Sequence, residues 1–377
     1  MKIGIITHSL QTNYGGLLQN YALQQVLKSM GHDVYTLNRN PIGIYSSKWH
    51  IYLIWKIKQA VKKIAGIEYM PAYKDFCTIR QHCIRFVKEN IQTTPMLVSI
   101  NNSNALIRNY NFNAYVVGSD QVWRPSYSQN IYNDFLDFCQ NERNVKRIAY
   151  AASFGVSDWV FNETQTKECS RLAKLFDAIS VREDSGISLC ENHLGVNATL
   201  VLDPTLLLDK ENYIELVEKY NEEKSSGNLF CYILDNDSKI QNIICDIEEK
   251  HSLQSFQVKA KNNKGVLNRH YNLNDHIIPA PTKWLRAFMD AKMVLTDSFH
   301  GCVFSIIFNK PFWAIGNKKR GNARFDSLLK LFNLENRRID ISEINDTDFA
   351  IPIDWDKVNS INKEWQEKSI KFIKDNL

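Results

Sequence analysis

The hydrophobic positions of this chain fall into short continuous runs separated by longer stretches with helical spacing, the pattern of strands buried on both faces alternating with helices. Residues 2–7 form the first run. A loop through Gly16, a helix from about Leu17 to Met30, Gly31 as its stop and a strand from Asp33 to Leu37 complete a strand–helix–strand unit. Further runs at 115–117, 147–152, 178–181 and 199–202 extend an open α/β arrangement. The alternation then restarts: 229–234 reads as a strand, 239–250 as a helix and 255–258 as a strand. After these, 284–291, 293–296, 300–308 and 312–315 alternate again.

Two α/β units are therefore expected, 1–195 and 196–352, with a charged amphipathic helix over 353–377. Asp203-Pro204-Thr205 and the polar segment 221–227 read as linkers. A length of 377 residues suits two domains of ordinary size. Hydrophobic residues at 44% and charged residues at 23% give the balance of a folded, soluble protein.

A net charge of +5 is too small and dispersed to argue for nucleic acid. Met1 leads directly into an apolar strand, and no run of about 20 apolar residues occurs, so a cytoplasmic location is expected. The eight cysteines show no CxxC pair and no Cys/His ligand spacing, and read as buried free thiols without a metal.

Ligands of open α/β sheets collect beyond the carboxyl ends of the strands, which directs attention to the residues after each run. Asn13-Tyr14-Gly15-Gly16 offers two glycines and the free amides of a helix start, suited to an anion or to sugar hydroxyls. Gly118-Ser119-Asp120-Gln121-Val122-Trp123 offers a carboxylate, an amide and an aromatic face for a sugar ring. Arg182, followed by Glu183, presents a planar fork for carboxylate or phosphate. In Thr296-Asp297-Ser298-Phe299-His300-Gly301, Asp297 and Ser298 can cap the next helix, and His300 stands at its positive end. The basic segment 318–324 can complete an anion site, with Lys318 and above all Arg324 as candidates.

These segments, in order and spacing, resemble the polysaccharide pyruvyl transferase family. The likeness runs from the first strand to about Arg338. It implies a glycosyltransferase-B-like α/β fold of two Rossmann-like domains facing across a cleft, with a C-terminal helix able to cross back to the first. It also implies a bacterial transferase that moves the pyruvyl group of phosphoenolpyruvate onto a sugar of an exopolysaccharide or capsule precursor as a ketal, without a cofactor. The family's strand-end Arg is matched by Arg182. Its Arg-x-His after a C-domain strand is matched at His300, while the Arg position is Ser298. The catalytic set expected is His300, Arg182 and Asp297. Asn13, Tyr14, Gly15, Gly16, Ser119, Asp120, Glu183, Ser298, Gly301, Lys318 and Arg324 are expected to bind substrate. A nucleotide-sugar glycosyltransferase of the same fold and a non-catalytic glycan-binding protein are the alternative readings.

Residues 48–67 place Trp49, Leu53, Ile57, Ala60, Val61 and Ile64 at helical spacing with Lys56, Lys62 and Lys63 interleaved. The pattern suits peripheral contact with an anionic membrane surface carrying a lipid-linked oligosaccharide acceptor. Packing on the protein's own core is the competing reading.

Overall fold

The computed structural model describes residues 1–39, 49–97, 99–235, 238–262, 266–268, 271–316, 322–340 and 348–377. The strands are β1 (Lys2–Ile6), β2 (Asp33–Thr36), β3 (Ala114–Val117), β4 (Lys146–Ala152), β5 (Ala178–Val181), β6 (Thr199–Leu200), β7 (Leu229–Tyr232), β8 (Ser255–Phe256), β9 (Met293–Thr296), β10 (Phe312–Ile315) and β11 (Arg338–Ile339). Among the described residues they form two sheets, ordered β2-β1-β3-β4-β5-β6 and β11-β10-β9-β7-β8. Every pairing is parallel.

The strand residues explain the layering. β3 and β9 are buried at every position, as strands covered on both faces by helices must be. Helix α1 (Tyr14–Ser29) returns the chain from β1 to β2. Its Asn13 cap accepts from the Gly16 amide at 3.2 Å, and Leu17, Leu18, Leu23 and Leu27 face the core. Helix α2 (Trp49–Ile64) follows the 40–48 segment, which, Lys48 included, lies outside the described residues.

The boundary expected at 195 falls too early, because β6 pairs with β5 through Ser180–Thr199 and Val181–Leu200 and so belongs to the first sheet. Asp203-Pro204-Thr205, read as a linker, is buried: Asp203 accepts from the Thr205 amide at 3.1 Å and starts a short helix, Pro204–Leu207. The cysteines are free thiols, but Cys77 is only half-buried and Cys245 is exposed.

The two units are joined by apolar contact. Tyr14 at the start of α1 packs against Trp284, ring centroids 5.6 Å apart and planes tilted by 32°, and donates to the Pro279 carbonyl at 2.9 Å. The C-terminal helix Trp355–Asn376 lies against the first unit. Ser369 accepts from the Leu202 amide at 3.0 Å, Gln366 donates to the Leu206 carbonyl at 2.7 Å, and Phe372 reaches the Tyr150 ring.

That return contact has a testable weight. Ile373 is buried in the main apolar cluster, so Ile373→Ala should lower unfolding free energy in urea by about 2–5 kcal/mol. Lys371→Ala, on the exposed face of the same helix, should change it by less than about 0.5 kcal/mol. Equal effects would mean that the helix is not held against the first unit.

Candidate functional site

The strand order of the first sheet reverses between β1 and β3, and a crevice at such a point is where ligands of this architecture bind. The segments after β1, β3, β5 and β6 all end there. Asp120 adopts φ 68°, a left-handed conformation that Asp tolerates better than most residues. That turn sends its carboxylate toward Arg182.

Arg182, at the end of β5, is the hub. Its side chain is 1% exposed, and its fork donates through Nη1 to Asp203 Oδ2 at 2.5 Å and through Nη2 to Asp120 Oδ1 at 2.8 Å. Its Nε stands 3.9 Å from Glu183 Oε2. Below the fork, the guanidinium lies 4.4 Å from the Phe299 ring centroid, a cation–π contact supplied by the second unit. Burial would lower the Arg182 pKa, but the three carboxylates outweigh it and raise it. Burial alone would likewise raise Asp120 and Asp203. The cations around them instead hold both well below the usual carboxylate range: Arg182 and His300 act on Asp120, and His300 and Arg182 on Asp203. Glu183 goes the other way: burial raises it, and Arg182 only partly opposes that. Its Oε1 accepts from the Phe154 and Gly155 amides at 2.9 and 3.2 Å.

The second unit contributes the helix Phe299–Ile307, which begins directly beyond β9. His300 sits in its first turn, 6% exposed, with Nε2 3.8 Å from Asp203 Oδ2. That is ion-pair range when the ring is protonated but too long for a hydrogen bond. Gly15 makes the approach possible, since a Cβ there would lie 2.1 Å from His300 Nδ1. Arg324, at the start of the helix Ala323–Leu331, is buried with its guanidinium 5.9 Å from the same Phe299 ring. Burial, then the charge of Arg182, push its pKa down to about 10.

The remaining candidates have definite places. Asn13 donates to Asp120 Oδ2 at 3.3 Å, and Ser119 donates to the Ala151 carbonyl at 2.8 Å with Asp203 Oδ2 at 3.3 Å. Asp297 does not cap its helix. Its two oxygens accept from the Leu234 and Asp235 amides at 2.8 and 3.0 Å, tying the loop after β7 to β9. Ser298 occupies the cap position without a side-chain cap bond, and its amide donates to Thr296 Oγ1 at 3.1 Å. Gly301 lets the helix pack on that same hydroxyl, where a Cβ would meet it at 2.1 Å. Trp123 is not a stacking face for sugar. It is fully buried, stacked on Phe135 at 4.8 Å, and donates to the Asp134 carbonyl. Lys318 lies outside the described residues.

Three members of the crevice escaped the sequence reading. Asp203 was assigned to a linker, although it stands directly after an apolar run and the strand-end rule covers it. Phe299 lay inside a motif read for its polar residues. His8, directly beyond β1, has an Nε2 with no hydrogen-bond partner and faces the charges of Asp120 and Asp134. Burial lowers its pKa, against the pull of those carboxylates. A cavity of about 340 Å³ opens between the units, lined by Thr12, Tyr14, Phe76, Arg80, Tyr232 and Lys259 among others.

A family model described as polysaccharide pyruvyl transferase matches residues 13–319. No curated protein sequence matches the chain. Among solved structures, the UDP-GlcNAc 2-epimerase from Neisseria meningitidis bound to UDP-GlcNAc is similar at TM-score 0.51 and 9% identity, over 100% of this chain and 99% of that one. The UDP-GlcNAc 2-epimerase from Methanocaldococcus jannaschii is similar at TM-score 0.50 and 12% identity, over 96% and 92%. The Streptomyces sp. SF2575 glycosyltransferase SsfS6 aligns at TM-score 0.43 and 10% identity, over 99% of each chain. At such identities the likeness to the two epimerases is one of fold, two parallel α/β units.

The depressed carboxylates set a pH dependence. Asp120 and Asp203 have lower pKa values folded than unfolded, where Asp titrates near about 3.9. Their contribution to stability is complete above that range and is lost progressively as pH falls below it toward their lower folded values. Urea midpoints should therefore drop between about pH 5 and pH 3, and Asp203→Asn should flatten that decline. An unchanged slope in the variant would show that Asp203 is not held ionised by the fold.

Proposed function

Since the chain belongs to the polysaccharide pyruvyl transferase family, we propose that it transfers the pyruvyl group of phosphoenolpyruvate to a sugar of a surface polysaccharide precursor, forming a ketal. The observation that carries this reading is the convergence of His300 and Arg324 from the second unit on the Arg182–Asp120–Asp203 cluster of the first.

The chemistry asks for few parts. A proton must reach the methylene carbon of phosphoenolpyruvate while a sugar hydroxyl bonds to the adjacent carbon and gives up its own proton. Phosphate then leaves, the second hydroxyl takes its place on that carbon, and the proton of that hydroxyl departs with the phosphate. His300, buried at a helix start and facing Asp203, is suited to deliver the first proton. Arg324 is suited to hold the donor's carboxylate or phosphate, the position that Ser298 leaves without an arginine in the family pattern. Arg182 turns two arms of its fork to carboxylates of its own chain, so in this reading it positions Asp120 and Asp203 and contributes charge to the site. Asn13 and the amides at the start of α1 supply contacts for sugar hydroxyls, the role expected of the first unit.

In the same reading the acceptor is a lipid-linked oligosaccharide of capsule or exopolysaccharide assembly, met at the inner face of the plasma membrane. Among the described residues no helix is long and apolar enough to cross a membrane, so contact with the membrane would be peripheral.

Incubation with phosphoenolpyruvate and lipid-linked sugars should release phosphate and add one pyruvyl mass to the sugar. Release of nucleotide from a nucleotide sugar instead would replace this reading with glycosyl transfer. Two variants should then fail differently. His300→Asn should lower turnover by about 10²-fold or more with donor affinity largely kept. Arg324→Ala should weaken phosphoenolpyruvate binding by about 1.5–3 kcal/mol. Arg182→Ala is the poorer probe, because leaving Asp120 and Asp203 buried without their partner should cost about 3–5 kcal/mol of stability. Wild-type turnover in His300→Asn would place the proton donor elsewhere.

A further inference from the structure

Helix α2 carries apolar side chains that the fold leaves outside. Leu53, Ile54, Ile57, Val61 and Ile64 are 47, 52, 55, 58 and 82% exposed, and Ile67 just beyond the helix is 56% exposed. At 3.6 residues per turn these five helical positions fall within about 100° of the helix circumference, a single stripe along its length. Cations flank the stripe: Lys58 lies beyond one edge and Lys56 beyond the other, with Lys62 and Lys63 farther round on those two sides. No acidic residue occurs from Leu53 to Ile67. The inward edge is held by half-buried Trp55 and Gln59, and Gln59 accepts from the Met70 amide at 2.8 Å. Among the described residues, therefore, the protein's own core does not cover the stripe.

We infer that α2 is an interfacial helix that seats the protein on an anionic lipid bilayer. A narrow apolar stripe flanked by lysines on both sides fits that surface, where the apolar side chains enter the acyl boundary and the lysines reach the headgroup phosphates. A second copy of the chain is a poor occupant, because stripe-to-stripe pairing brings lysine rows onto lysine rows. The position of the helix serves the site. The chain leaves α2 through Tyr69, which exchanges backbone hydrogen bonds of 2.9 and 2.8 Å with Leu267 of the second unit. It then enters the wall of the 340 Å³ cavity at Pro71, Phe76 and Arg80. Pro71 stands seven positions on from Ile64, so a bilayer bound by α2 lies within about 25 Å of the cavity wall.

The use of this surface, delivery of a membrane-borne acceptor, rests on the proposed function, while the binding itself does not. Co-sedimentation without any donor, using phosphatidylglycerol and phosphatidylcholine vesicles, separates the two. The full chain should pellet with phosphatidylglycerol vesicles at low salt, less so at high salt, and remain in solution with phosphatidylcholine. Ile57→Glu/Val61→Glu should abolish binding, and Lys58→Glu/Lys62→Glu should weaken it roughly 25-fold or more. All four positions are exposed, so melting temperatures should stay near wild type. Three results would overturn the inference: a chain that stays in solution with phosphatidylglycerol, an apolar double variant that binds as wild type, or a wild-type dimer in sedimentation velocity that Ile57→Glu/Val61→Glu dissociates. Loss of phosphoenolpyruvate turnover on a soluble acceptor would count against the transferase reading alone.

Discussion

A guanidinium buried to 1% exposure cannot stand in a protein interior without counter-charge, and the first unit is organised around meeting that demand for Arg182. The two carboxylates that meet it come from the ends of other strands, Asp120 after β3 and Asp203 after β6. Each is a residue whose own burial would favour its neutral form, so each depends on Arg182 to remain ionised. The cluster thereby fixes three strand ends relative to one another. It also explains local features that otherwise look unrelated: the left-handed turn at Asp120, the buried Ser119 hydroxyl beside Asp203, and the short helix that Asp203 starts.

The second unit is aligned to this cluster by close approach. Phe299 lies against the Arg182 guanidinium, and His300 fits only because Gly15 has no side chain to occupy its place. A residue at the first turn of α1 thus sets how near the imidazole comes to Asp203. Farther along the same face, Tyr14 and Trp284 supply apolar adhesion between the units, and the C-terminal helix adds a second tie through Ser369 and Gln366. The inter-unit geometry therefore depends on shape at one end and on buried apolar area at the other.

Much of this was legible in the sequence, and the misses share a cause. The period of the apolar runs located every strand of the two sheets except β11, and the strand-end rule pointed to Asn13, Asp120, Arg182 and His300, which the fold brings together. What periodicity could not supply was the third dimension. Asp203 follows a two-residue strand and precedes proline, so local turn chemistry outweighed its position in the sheet. Trp123 reads equally well as a sugar platform or as core, and only the stack on Phe135 decides. Asp297 has the residue type and place of a helix cap, yet spends both oxygens on amides after β7, a strand distant in sequence. For α2 the pattern of apolar and basic positions was visible, but the same pattern describes a helix packed on a core; exposure distinguishes the two.

Charge balance links the site to its proposed reaction. Asp120 and Asp203 are held ionised, Arg182 and Arg324 oppose them, and Glu183 is drawn toward its neutral form by burial. Glu183 apart, the two carboxylates and the two guanidinium groups balance before any ligand arrives, although they lie in a crevice suited to anions. A donor bearing both carboxylate and phosphate brings more negative charge than Arg324 alone can answer. A proton on His300 would supply further positive charge, within 3.8 Å of Asp203 and at the positive end of its helix. In the proposed reaction that proton is the one the methylene carbon receives.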